Sequence, residues 1–253
     1  MTSPSLEIAL PPLLPFPTLV RRLVAAAFAA ASLACTPSMA QVAPSLSLAE
    51  QMRAMIGKPP AAAAPATTAA TTPAPAVSLP VPGPTAVPLL ADGPAQVRQS
   101  AAELAQRFPP AHRAAMAKAF EESFAGWRQL EAQLGLATND VAAAVAAFIA
   151  GNYAAFMQQQ VADEDFKALV RQMQGALGRN AAFAQAGAAA KRAMYEQLAM
   201  VGTFMAVYRE HLARQPNPAE EVNFRNAAKA NLEAGLGLAV ERIQIGPQGL
   251  VVR

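Results

Sequence analysis

Residues 188–221, AAAKRAMYEQLAMVGTFMAVYREHLARQPNPAEE, decide how the fold is read. Met194, Leu198, Val201, Met205, Tyr208 and Leu212 recur at intervals of three and four, which is the spacing of one face of an α-helix. That spacing predicts a helix from Ala188 to Arg214. Gln215-Pro216-Asn217-Pro218 then stops it and starts another. Asn217 is placed as N-cap and Pro218 as first helical residue, and the carboxylates of Glu220 and Glu221 suit the positive end of the new helix dipole. This last helix turns Phe224, Ala227, Ala228 and Leu232 inward and ends at Gly235 or Gly237.

The same pattern continues toward the N-terminus. A helix from Asp163 buries Phe166, Leu169, Val170, Met173 and Leu177, and Gly178 and Asn180 end it. Its opening Asp163-Glu164-Asp165 is explained by the dipole without invoking a carboxylate site. Before it, Thr138 or Asn139 is expected to cap a helix with Asp140 in its first turn and Val141, Val145, Phe148, Ile149, Asn152, Tyr153 and Phe156 on an inner stripe. Pro109-Pro110 opens another helix, on which Met116, Phe120, Phe124, Trp127, Leu130 and Leu134 share a face until Gly135. The Phe120, Phe124 and Trp127 spacing is that of a core stripe. A shorter helix is expected within Gln96–Arg107. The tail Glu241–Val252, ERIQIGPQGLVV, alternates as a strand does and turns at Gly246-Pro247. The fold class is therefore all-α, a compact bundle of about five helices over residues 96–253 with a short extended tail.

Composition accounts for the rest of the 253 residues. Alanine fills 63 positions and favours helix over strand. Of the 22 prolines, 17 lie at or before Pro94, segregated from the helical part. From Pro59 to Ala91 no residue is charged, and PPAAAAPATTAATTPAPAVSLPVPGPTAVPLLA lacks the large apolar side chains that ordering requires. Residues 41–95 are read as an Ala/Pro/Thr-rich disordered linker of the semi-rigid, extended kind. Within it, Leu46–Ile56 is read as a candidate for a short amphipathic turn or two that matters only if it docks, because helices of this length are marginal alone.

Residues 1–40 read as a signal peptide. Arg21-Arg22 precede the apolar run Leu23–Ala34, and Ser38-Met39-Ala40 places small residues at −3 and −1 before Gln41, so cleavage is expected between Ala40 and Gln41. The run is shorter than the roughly 20 residues a membrane span needs. The long proline-containing n-region admits a translation start near Leu19. Cys35, the one cysteine, follows Ser32-Leu33-Ala34 in a lipobox-like setting. Lipidation there would anchor the chain to a membrane, whereas cleavage after Ala40 would remove the cysteine and leave nothing to form a disulfide.

Reactive side chains are few. From Gln96 onward there are two histidines, His112 and His211, both expected in solvent, and two serines, Ser100 and Ser123. No nucleophile elbow, HExxH, cysteine pair, EF-hand loop, P-loop or GxGxxG is present. No catalytic residue, cofactor or metal is expected. Net charge falls from +3 to +2 on loss of Glu7, Arg21 and Arg22, without a basic cluster, so no nucleic-acid partner is expected either. The one candidate pocket is polar: Arg192, Tyr195 and Glu196 lie on the longest apolar helix, as a ligand site or as a buried structural network.

Tyr195-Glu196-Gln197-Leu198, Gly202, Arg214-Gln215-Pro216-Asn217-Pro218, Ala227-Ala228, Asn231-Leu232-Glu233 and Gln248-Gly249-Leu250, with Leu134-Gly135-Leu136 and Asn139-Asp140-Val141-Ala142 upstream, resemble an uncharacterised family of exported proteobacterial all-helical proteins. The resemblance implies a helical exported domain and no catalytic site. Two expectations follow. The first is a non-enzymatic interaction or structural module of the periplasm or cell envelope, with a protein or envelope component as partner and no stable membrane span in the mature chain. The second is a small-ligand binder or enzyme using the pocket around Tyr195 and Glu196. Oligomeric state is not readable from the sequence.

Overall fold

In a computed structural model, the described residues are Leu48, Met52, Arg53 and 89–253. The stretch read as a signal peptide, with Ala40-Gln41 and Cys35, and most of the stretch read as a linker lie outside them. The domain is built from α1 (Val97–Ala105), α2 (Pro110–Leu134), α3 (Val141–Met157), α4 (Asp163–Gly178), α5 (Ala181–Gln185), α6 (Ala188–Arg214) and α7 (Pro218–Leu236). A hairpin of β1 (Ile243–Gly246) and β2 (Gly249–Val252) closes the chain. The all-α class stands, with seven helices among the described residues against the five or so expected. The five-residue α5 went unread because a single turn shows no periodicity; Asn180 caps it by accepting from Phe183 N.

The middle of the bundle is α3, packed against α4, α6 and α7. The expected inner stripe is corrected here. Every residue from Val141 to Ala155 is buried, while Phe156 is half-exposed. The helix is surrounded on all sides, and its alanines face neighbours that a larger side chain would push away. The cap is corrected too. Asn139 adopts φ 65°, and Asp140 is the N-cap, accepting from Ala142 N at 3.0 Å. Positive φ suits asparagine, and a cap needs the extended backbone that Asp140 has.

Other ends match their sequence signals. Gly135 and Gly237 take left-handed conformations after α2 and α7, and Asn217 caps α7 through Glu220 N with Pro218 at N1. Asp163, Glu164 and Asp165 occupy the first turn of α4, where Glu164 pairs with Lys167 at 3.0 Å. On α2 the inward stripe runs Met116, Phe120, Phe124, Trp127 and then Glu131; Leu130 and Leu134 stay half-exposed. Four residues after Trp127 the helical period points at Glu131, and polar partners make that burial tolerable.

Two segments join the domain from upstream. Leu89–Ala91, placed by composition in the linker, pairs with the entrance to α3. Ala91 N donates to Asn139 O and Val141 N to Leu89 O, both at 2.9 Å, around an antiparallel bridge between Leu90 and Asp140. Asp140 accepts Leu89 N as well, at 3.0 Å. Backbone pairing overrides composition at this edge. Farther upstream, Leu48 and Met52 are helical and buried.

The tail forms an antiparallel hairpin rather than a single extended piece, with Ile243 opposite Val252 and Ile245 opposite Leu250, packed on α4. Gln172 of α4 treats β2 as a neighbouring strand would. Its Nε2 donates to Leu250 O at 2.9 Å, and its Oε1 accepts Leu250 N at 2.7 Å.

Candidate functional site

Arg192, Tyr195 and Glu196 project from α6 toward α2 and the entrance of α1, and all three are buried. Glu196 is held from three sides. Arg192 Nε donates to its Oε1 at 2.6 Å, Gln96 N to the same oxygen at 3.0 Å, and Ser100 Oγ to Oε2 at 2.8 Å. Gln96 opens α1 without a side-chain cap of its own, so Glu196 ties the start of that helix to the middle of α6.

Tyr195 serves as a second junction. Its hydroxyl donates to Glu131 Oε1 at 2.8 Å and accepts from Trp127 Nε1 and Arg128 Nη1, each at 3.2 Å. Phe124 meets the ring edge-on at 5.7 Å, and the Arg192 guanidinium lies 5.4 Å over it. Arg128 Nη1 also binds Glu131 Oε2 at 2.8 Å. The two arginines converge on one acceptor, Asn139 Oδ1, which Arg192 Nη1 reaches at 3.0 Å and Arg128 Nη1 at 3.3 Å. The result is one chain of bonds from Ser100 through Glu196, Arg192, Asn139 and Arg128 to Glu131 and Tyr195.

Burial sets the electrostatics of this network. It raises the Glu131 carboxyl above the ordinary value, against the opposing pull of the Tyr195 hydroxyl and the Arg128 charge. It pushes the Tyr195 hydroxyl up to about 12, aided by the neighbouring Glu131 carboxylate and opposed by the bond from Arg128. Arg128 is held above its usual value first by its bond to Tyr195. Its side chain is 40% exposed against 2% for Glu131, so it is where the network meets solvent. Asp140 lies beside it, raised by burial and held by Leu89 N, Ala142 N and Gln174 Nε2, the last at 2.6 Å.

The structure thus brings the three candidate residues together and adds Glu131, Arg128, Asn139, Trp127 and Ser100, which the sequence reading missed. One signal was available: Glu131 occupies the same inward register after Trp127 that Glu196 occupies on α6.

A second polar cluster lies where α6 meets α7. Tyr208 donates to Glu220, Arg209 pairs with Glu210, and Gln160 Nε2 reaches Glu210 at 3.0 Å. His211 rests 5.6 Å from the Tyr208 ring and, like His112, is half-buried instead of solvated. Among the described residues, no group of three or more His, Cys, Asp or Glu is gathered so as to hold a metal ion, and no helix is long and apolar enough to cross a membrane.

No curated protein and no solved structure matches the chain. A family model described as a family of unknown function (DUF6683) matches residues 20–253, nearly the whole sequence, and the chain belongs to that family.

Proposed function

We infer that this protein is an exported module of the periplasm or cell envelope whose helical domain binds a protein or envelope component and performs no chemistry. The carrying observation is that the buried carboxylates are engaged by the chain itself. Glu196 takes bonds from Gln96, Ser100 and Arg192, Glu131 from Tyr195 and Arg128, and Asp140 from Leu89, Ala142 and Gln174. A general base needs a lone pair aimed at substrate, and these lone pairs are aimed at helix starts and neighbouring side chains. Such a network fixes one arrangement of α1, α2, α3 and α6 and suits a scaffold that presents a surface.

Export rests on Arg21-Arg22, the apolar run 23–34 and Ser38-Met39-Ala40. Mass spectrometry of the mature chain tests it, with Gln41 as the expected first residue; a lipid-modified Cys35 would replace the free module with an anchored one. The binding reading is tested by site-specific photo-crosslinking in intact cells from exposed positions across α2 and α7. A discrete adduct in the envelope fraction supports it. Adducts absent from every position sink it.

A second reading keeps the polar junction as a small-ligand site, favoured by the exposure of the Arg128 guanidinium. Thermal-shift screening with small carboxylates and phosphates separates the two readings: stabilisation lost in Arg128→Leu favours the ligand site.

A further inference from the structure

Gly235, in the last turns of α7, leaves a gap that another part of the chain fills. A Cβ at this position would collide with Met52 Cε and would lie 3.5 Å from Phe148 Cε1 of α3. Met52 is 0% exposed, and Leu48, four residues earlier and so on the same helical face, is 1% exposed. Arg53 follows at the end of α7. Its Cζ is 2.8 Å from where a Cβ of Gly237 would stand. Gly237 is the left-handed residue that closes α7, so the guanidinium lies at the negative end of that helix dipole. One apolar anchor and one charge therefore meet the two glycines that end α7, and Leu48 is buried on the same face as the anchor.

We propose that this groove, floored by Gly235 and Phe148 and ended by Gly237, is an intramolecular docking site for the amphipathic segment that carries Leu48, Met52 and Arg53. Docking gives residues 54–88 an attachment to the domain at each end. Arg53 is fixed on one side of residues 54–88, and Leu89–Ala91 is fixed on the other by its pairing with Asn139–Val141. A connector of 35 residues holds the segment at an effective concentration on the order of millimolar, and lengthening such a loop adds little closure cost. A segment too short to be stable as a free helix then needs only this groove to order it. Cleavage after Ala40 would leave seven residues, 41–47, ahead of Leu48.

Amide hydrogen exchange on the chain beginning at Gln41 tests this. In the unaltered protein, amides around Met52 are expected to exchange at least about tenfold more slowly than in a free peptide of the same sequence, in a monomer by sedimentation. Gly235→Ala puts a methyl where Met52 Cε sits while favouring α7 itself; Met52→Glu places a carboxylate in the groove should Cε swing aside. Either change is expected to abolish that protection while the amides of α3 and α6 stay as slow as before. Protection equal to that of the free peptide, or unchanged in both variants, overturns the proposal. Protection that vanishes on dilution together with a dimer also overturns it, because the groove would then hold the segment of a second copy.

Discussion

Gly151 and Gly202 meet backbone to backbone where α3 crosses α6. A Cβ on Gly151 would strike Gly202 O, and one on Gly202 would strike Ala147 O and the adjoining peptide group. Neither obstacle is a side chain able to turn aside. Alanine at either site would gain up to about 1 kcal/mol in helix propensity. It would also force two helices apart in a packed core, where strain of about 1–3 kcal/mol is usual for movable neighbours and more is expected for backbone. Gly151→Ala and Gly202→Ala should therefore both lower the urea midpoint sharply. Gly126→Ala, whose Cβ meets only Thr203 Cγ2 at 3.7 Å, should leave it unchanged or raise it.

Removing one member of the Arg192–Glu196 pair should cost far more than removing both. Glu196→Ala leaves a guanidinium 9% exposed without its carboxylate and frees Gln96 N and Ser100 Oγ. Loss of one partner of a buried pair costs about 3–5 kcal/mol, whereas an apolar replacement of the pair is often neutral. Denaturant melts of Glu196→Ala, Arg192→Met and Arg192→Met with Glu196→Leu check this. The double variant should recover most of the loss, and additive losses would contradict the coupling.

Helix positions were readable because alanine-rich, proline-punctuated sequence states its own boundaries: Ala188–Arg214 and the Asn217-Pro218 start need only local chemistry. The polar network was half readable. Glu196 and Tyr195 stand out on an apolar stripe, but the partners that decide their role, Ser100, Glu131 and Asn139, come from other elements at sequence separations of 53 to 96. Local periodicity carries no information about which helices meet. The same reason hid the full burial of α3, whose alanines look like a solvent-tolerant face until neighbours cover them. Composition misplaced Leu89–Ala91, because backbone pairing does not depend on side-chain character.

Alkaline stability should fall in the range set by the buried tyrosines. Tyr195 is raised from 10 to about 12, and Tyr208 is raised too, by burial and then by its bond to Glu220. In the unfolded chain both ionise near 10, while the folded chain keeps its protons, so their contribution is complete below pH 10 and is lost as pH rises toward 12. Absorbance titration should show these two tyrosines ionising only with loss of helical circular dichroism, and Tyr195→Phe should make that loss shallower. Glu131 and Asp140 are also raised, from 4.5 and 3.8, so what they contribute is present in acid and is lost as pH rises through their folded values. Acidifying from neutral toward pH 5 should then not weaken the fold through these two groups, and Glu131→Gln should flatten whatever rise is seen.

Gln172 is the place to uncouple the hairpin from the bundle. Its amide is the partner of both Leu250 N and Leu250 O in a buried setting, and Gly249, at φ 82°, comes close enough that a Cβ would stand 2.6 Å from Gln172 Oε1. Gln172→Leu keeps the volume and removes both partners, which leaves a buried N–H and a buried C=O unpaired at about 1–3 kcal/mol each. The strands still pair with each other, so the loss should be local. Hydrogen exchange should speed up at Leu250 and its neighbours in β1 and β2 while α3 and α6 keep their protection, and the global melting midpoint should drop by less than in Gly202→Ala. Uniformly faster exchange across α3 and α6 would instead make the hairpin part of the cooperative core, as its packing on α4 alone does not require.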